Sequence, residues 1–204
     1  MDLHLYKGEW VQGESDLADL NLMLVFQVNC PGCLAHALPL LQVLADEYPD
    51  INCFALSTAF EDFALNTLEN TQSLIAEGEL TPASKRYFSR LGQFELPYRI
   101  EVPVVMDLFL SGDEISSLTV SFIKNIDQGS LSSKMSQQLR HQFNQRFLPV
   151  AMTGRTFLNN EMQGTPSWFV FDKKMNILES WFGHKEKEWV RARVQHSIDG
   201  LSLD

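Results

Sequence analysis

The chain has 204 residues, 45% hydrophobic and 21% charged, the make-up of a globular protein with room for one buried core and an elaboration. Acidic residues outnumber basic ones, 26 to 16, leaving a formal charge of −10; that balance repels phosphate backbones and anionic lipid and argues against nucleic-acid or membrane-surface partners. No apolar stretch approaches the roughly 20 residues that span a bilayer. The opening Met1-Asp2-Leu3-His4-Leu5-Tyr6-Lys7 lacks the basic-then-apolar pattern of a signal peptide, so the expected compartment is the cytoplasm, where permanent disulfides are rare.

In chain order, the first strong signal is the apolar run Leu22-Met23-Leu24-Val25-Phe26-Gln27-Val28, which reads as a buried strand. It ends in the turn-rich Asn29-Cys30-Pro31-Gly32-Cys33. Leu34, Ala37, Leu38, Leu41, Leu44 and Ala45 then recur at helical spacing as far as Tyr48-Pro49. A second strand is expected over 51–57, with Cys53 as a core thiol. A second amphipathic helix is expected over 62–77, stopped by Gly78.

A short helix follows the Thr81-Pro82 start, over 84–91. Residues 102–106 read as a short strand whose Pro103 favours an edge or a first position. Leu131, Met135, Leu139, Phe143 and Phe147 step by four, predicting a helix over 130–147 that packs on the parent domain and is closed by Pro149. At the carboxyl end, residues 167–171 and 177–182 read as an antiparallel hairpin around the polar Lys173-Lys174-Met175-Asn176 turn. Gly183 breaks the second strand, and a last helix covers 185–197. Trp168, Phe169 and Trp181 read as core or hairpin packing.

The strand-helix-strand-helix opening calls for an α/β fold with a central parallel pair. No repeat or long linker divides the chain, so residues 1–204 are read as one domain. Its core covers about 15–78 and 164–198, and a mainly helical insertion covers about 79–160.

The cysteines carry the chemistry. Cys30 and Cys33 form the one C-x-x-C, and in a cytoplasmic chain beside a βαβ pattern this points to redox work before structural zinc. Two intervening residues bring two sulfurs within bonding reach across a first helical turn. The helix start supplies unpaired N–H groups that favour a thiolate. Pro31 is tolerated there and stiffens the turn, with Gly32 beside it. Cys30 is therefore the expected nucleophile and Cys33 the resolving thiol. His36, one turn on, is a candidate for tuning the pair. No fourth ligand joins Cys30, Cys33 and His36 at a spacing that suits zinc, and no cofactor is implied.

These motifs resemble the thioredoxin superfamily. The resemblance rests on the apolar strand leading into Cys30-Pro31-Gly32-Cys33 and its helix, and on Gly164-Thr165-Pro166-Ser167 followed by a hairpin, Gly183 and a last helix. It implies a thioredoxin-like fold, a central mixed sheet flanked by helices, and thiol-disulfide exchange. It further implies that Pro166 is cis and faces the cysteines, and that Thr165 offers backbone hydrogen bonds to a docked substrate. Residues 102–107 are similar to a strand of the peroxiredoxin and TlpA-like branches. The implied partners are protein or small-molecule disulfides and a cellular thiol reductase or glutathione. Where thioredoxins usually have Trp before the first cysteine, this chain has Asn29; their buried acid falls near Leu24; and Pro39 sits one residue later than in most members.

Two other readings use the same residues. Pro31-Gly32-Cys33 with His36 and Leu38-Pro39 is loosely similar to a peroxiredoxin's peroxidatic segment. That would make Cys33 the attacking thiol, Cys30 the resolving one and Arg155 a positive partner. The other is a non-enzymatic thioredoxin-fold binding module whose insertion recruits a partner.

Overall fold

The computed structural model describes residues 2–110, 112–115, 117, 135, 137–139, 141–142, 145 and 153–201. The apolar run forms strand β2 (Leu20–Phe26), buried along its whole length, as a strand covered on both faces must be. Parallel to it runs β3 (Asn52–Ser57), and antiparallel on its other side runs β5 (Ser167–Asp172). β4 (Val104–Asp107) pairs in parallel with β3, and β6 (Ile177–Phe182) closes a hairpin with β5. A further strand, β1 (Lys7–Gln12), lies antiparallel to β4, giving the order β1-β4-β3-β2-β5-β6.

Side chains alternate across this sheet and build two layers. Leu22, Leu24 and Phe26 face helix α1 (Leu38–Glu47), through Leu38, Leu41 and Leu44, and the last helix through Val190 and Val194. Met23 and Val25 face the opposite way, against Phe54, Val105, Phe169 and Phe171. Truncating a fully buried leucine such as Leu24 or Leu41 to alanine costs about 2–5 kcal/mol in such a core. The sheet flanked by helices is the α/β architecture read from the sequence.

Several boundaries differ from expectation, each for a physical reason. α2 spans Leu68–Glu77 and not 62–77. Asp62 adopts a left-handed φ of 46°, and Thr67 is the true N-cap, its hydroxyl accepting from the Asn70 N–H at 3.2 Å. Gly78, at φ 72°, ends the helix as expected. α3 spans Pro82–Ser89, with proline in the first turn.

Pro103 precedes β4, but β4 is not an edge, because β1 covers it. The core drawn at 15–78 and 164–198 thus omits two strands, β1 and β4, and β4 belongs to the segment read as an insertion. That segment also holds α4 (Arg155–Asn159). The helix expected over 130–147 lies largely outside the described residues; Met135, Gln137, Gln138, Leu139, His141, Gln142 and Gln145 within it are helical. α5 (Lys187–Leu201) ends the described chain. Among the described residues no helix is long and apolar enough to cross a membrane.

Candidate active site

β2 stops at Phe26, and its backbone turns at once: the Cys30 N–H donates to the Gln27 carbonyl at 3.1 Å. Cys30 is half-buried and Cys33 fully buried. The helical turn that begins here aims the Cys33 N–H at Cys30 Sγ, 3.3 Å away. The Cys33 thiol's hydrogen bond, with the backbone N–H groups of Cys33 and Gly32, outweighs burial and brings Cys30 down to about 7 from an ordinary 9.0. Burial drives Cys33 the other way, well above the ordinary thiol value, and the hydrogen bond and charge of Cys30 add to that effect. One sulfur is thus readily a thiolate and accessible, and its neighbour is a protected thiol.

The first turn is wider than an α-helix and leads into Pro39. Residues Cys33–Ala37 form a π turn in which the Leu38 N–H reaches back to the Cys33 carbonyl. In that register the Leu34 carbonyl would accept from residue 39, which as proline has no N–H. The Tyr98 hydroxyl, reaching in from the 79–160 segment, donates to the Leu34 carbonyl instead. Tyr98 is therefore part of the site's scaffold. No local sequence signal identifies it, since its partner lies 64 positions away.

The second motif arrives from the other end of the chain. The Thr165–Pro166 peptide bond is cis. Cys30 Sγ lies 3.9 Å from the Thr165 carbonyl oxygen, across 135 positions of sequence. The Thr165 hydroxyl donates to Gln27 Oε1 at 3.3 Å, and Gln27 Nε2 donates in turn to the Glu61 carbonyl at 3.2 Å. Within the loop Ser167 Oγ bonds the Gly164 carbonyl at 2.7 Å, and the Gly183 N–H donates to the Pro166 carbonyl at 2.8 Å.

The strand end carrying Cys30 is held from a third side. Thr81 Oγ1 and Ser84 Oγ both donate to the Val28 carbonyl at 2.9 Å. Asn29, directly before the first cysteine, spends its side chain on the Ala83 N–H at 3.0 Å and on Asp62 Oδ2 at 2.7 Å. Its own N–H donates to Asn66 Oδ1 at 3.0 Å.

Of the expected site residues, Cys30 and Thr165 are brought together across the two motifs, with Pro31, Gly32 and Cys33 next to the one in sequence and Pro166 next to the other. His36 is exposed, and its ring meets that of His184 edge to face, with centroids 5.3 Å apart. His184 was not among the expected residues. It sits over Gly32, where a Cβ would come within 2.6 Å of Nε2, and the signal that could have found it is its place just after the strand-breaking Gly183.

Arg155 pairs with Glu114 at 3.1 Å and lies over the Tyr6 ring at 4.4 Å, so its described partners do not include Cys33. Cys53 is buried in β3, and burial lifts its thiol to about 12. Among the described residues no group of three or more His, Cys, Asp and Glu side chains is placed to hold a metal.

No protein-family model matches the chain, and no curated protein matches it. Solved structures do. A thiol-disulfide isomerase from Corynebacterium glutamicum is similar at 19% identity and a TM-score of 0.56, over 97% of this chain and 94% of that one. A thioredoxin-like superfamily protein is similar at 21% identity and a TM-score of 0.55, over 96% of this chain and 95% of that one. The mixed sheet, the cysteine pair opening the helix after its central strand and these end-to-end likenesses make the chain a member of the thioredoxin-like fold.

Proposed function

We propose that the protein is a thiol-disulfide oxidoreductase with Cys30 and Cys33 as its redox pair. The observation that carries this reading is the asymmetry of the two sulfurs: Cys30 half-exposed with the Cys33 N–H aimed at it, Cys33 fully buried behind. The name of the Corynebacterium protein of like fold is in keeping with it.

In this reaction the Cys30 thiolate attacks one sulfur of a substrate disulfide. A mixed disulfide forms, and the other substrate sulfur departs as a thiolate. Cys33 then attacks Cys30 Sγ, its proton passing to the second departing thiolate, and the Cys30–Cys33 bond forms as the substrate takes up two electrons. A cellular thiol reductase or glutathione returns the pair to the dithiol. In the proposed cytoplasmic setting the net direction is reduction of the substrate. Thr165 supplies the backbone on which a substrate chain lies. A peroxidase that attacks through Cys33 is disfavoured by that residue's burial and by the pairing of Arg155 with Glu114.

The test is a titration of the purified protein against glutathione or dithiothreitol ratios, with free thiols trapped and located by mass spectrometry. A reversible Cys30–Cys33 disulfide is expected. Cys30→Ser abolishes turnover of hydroxyethyl disulfide, and Cys33→Ser accumulates a mixed disulfide on Cys30. Absence of the internal disulfide at every poise overturns the reading.

A further inference from the structure

The proposed exchange needs two loops in register: the turn that carries Cys30 and the Gly164–Ser167 loop that would carry the substrate backbone. Two contacts tie them directly. One is the 3.9 Å approach of Cys30 Sγ to the Thr165 carbonyl, and the other the 3.3 Å bond from Thr165 to Gln27. The segment Phe182-Gly183-His184 supplies a third tie, because it touches both loops.

Its backbone holds the Pro166 carbonyl through the Gly183 N–H. The Phe182 ring lies on Gly164, where a Cβ would meet Cε2 at 2.9 Å and Cζ at 3.1 Å. The His184 ring lies on Gly32, where a Cβ would meet Nε2 at 2.6 Å. It meets the His36 ring at 75°, with centroids 5.3 Å apart. Gly183, at φ 82°, gives the backbone a left-handed turn between the two ring-bearing residues. Each seat has room for glycine, and a Cβ there would have to displace the ring. Phe182 is 46% exposed, so its ring is only half buried in that seat.

We infer that Phe182 and His184 are positioning residues: their rings, seated on Gly164 and Gly32, bracket the two loops and set the docking strand at the correct offset from Cys30. The inference rests on the disulfide-exchange reading. A polypeptide disulfide engages both loops and depends on that offset, whereas hydroxyethyl disulfide meets Cys30 alone. A misplacement on the order of 1 Å between docked backbone and nucleophile costs up to about 100-fold in rate.

The experiment measures kcat/KM for a short linear peptide disulfide and for hydroxyethyl disulfide, and follows their ratio. His184→Ala is expected to lower the peptide-to-small-disulfide ratio about ten-fold or more. Gly32→Ala evicts the ring and lowers it equally, and the double variant is no worse than either single one. His184→Phe keeps a ring on the seat and keeps the ratio. Phe182→Ala, Gly164→Ala and their double variant repeat the pattern at the second seat, so a variant that fails to fold at one leaves the other to decide. A ratio unchanged in the alanine variants, or effects that add in the double ones, overturns the inference and leaves disulfide exchange standing. Failure of the unmodified protein to turn over either disulfide overturns the exchange reading and the inference with it.

Discussion

The opposed environments of the two sulfurs fix how the protein meets an alkylating reagent. Cys30 is held at about 7 against an ordinary 9.0. At pH 7 it is about half ionised, where an unperturbed thiol is about 1% ionised, a gain of roughly 50-fold. A less basic thiolate is a weaker nucleophile, and a Brønsted slope of about 0.4–0.5 over that interval returns roughly 6- to 10-fold. The net is a rate constant with iodoacetamide roughly 5- to 8-fold above that of a free thiol at pH 7, levelling off by about pH 8 where a free thiol still climbs. Stopped-time alkylation from pH 5 to 10, read by mass spectrometry of the peptides, gives both rate and position. Label should collect on Cys30 alone, with a midpoint near 7. Cys33→Ala removes the largest contribution to that lowering and should move the midpoint upward. A midpoint near 9 in the unmodified protein, or first labelling at Cys33, refutes the argument.

Tyr98→Phe deletes the donor that satisfies the Leu34 carbonyl and should cost about 1–3 kcal/mol in urea unfolding, with little change in the m-value. Asp107 is buried at the end of β4 and accepts from Thr58 Oγ1 and the Thr156 N–H, each at 2.8 Å, and from the Phe157 N–H at 3.2 Å. Asp107→Ala strands these donors and should lower stability by about 3 kcal/mol or more. Burial raises the Asp107 carboxyl to about 6 from 3.8 despite those bonds. Its contribution is therefore whole below 3.8 and is lost as pH rises through 6. Wild-type stability relative to Asp107→Asn should decline across that window, and a flat difference would contradict it. Cys53, lifted to about 12 by burial, should resist alkylation at pH 8 until denaturant unfolds the chain, and labelling in the native state would show the core to be open there.

What the sequence disclosed, and what it hid, follows the range of the interactions involved. β2, the cysteine turn and the helix after it were legible because a continuous apolar run, a C-x-x-C and a 3.6-residue periodicity all act within about 30 positions of one another. The terminal hairpin was legible for the same reason. β1 was missed because Lys7-Gly8-Glu9-Trp10-Val11-Gln12 is a half-exposed edge with little apolar signal, and an edge strand owes its place to its partner. Pro103 favours either an edge or a first position, and its own identity does not say which; it stands immediately before an interior strand. The start of α2 was misplaced because residues 62–67 keep helix-like polarity while Asp62 and Asn66 are engaged at the strand end. Thr81, Ser84 and Tyr98 could not be assigned to the site at all, since their partners are main-chain carbonyls that 53, 56 and 64 positions separate from them. A carbonyl acceptor leaves no mark on residue identity.

The placement of β4 bears on how far the chain can be shortened. A loop inserted at a sheet's periphery can be excised and its ends rejoined, leaving a smaller protein with its function intact. Here, cutting out residues 79–160 removes an interior strand, exposes one side of β3 and unseats β1. It also frees the Val28 and Leu34 carbonyls on either side of the cysteine turn. A minimal version of this protein would have to supply a replacement strand and replacement donors, so trimming it is a redesign and not a deletion.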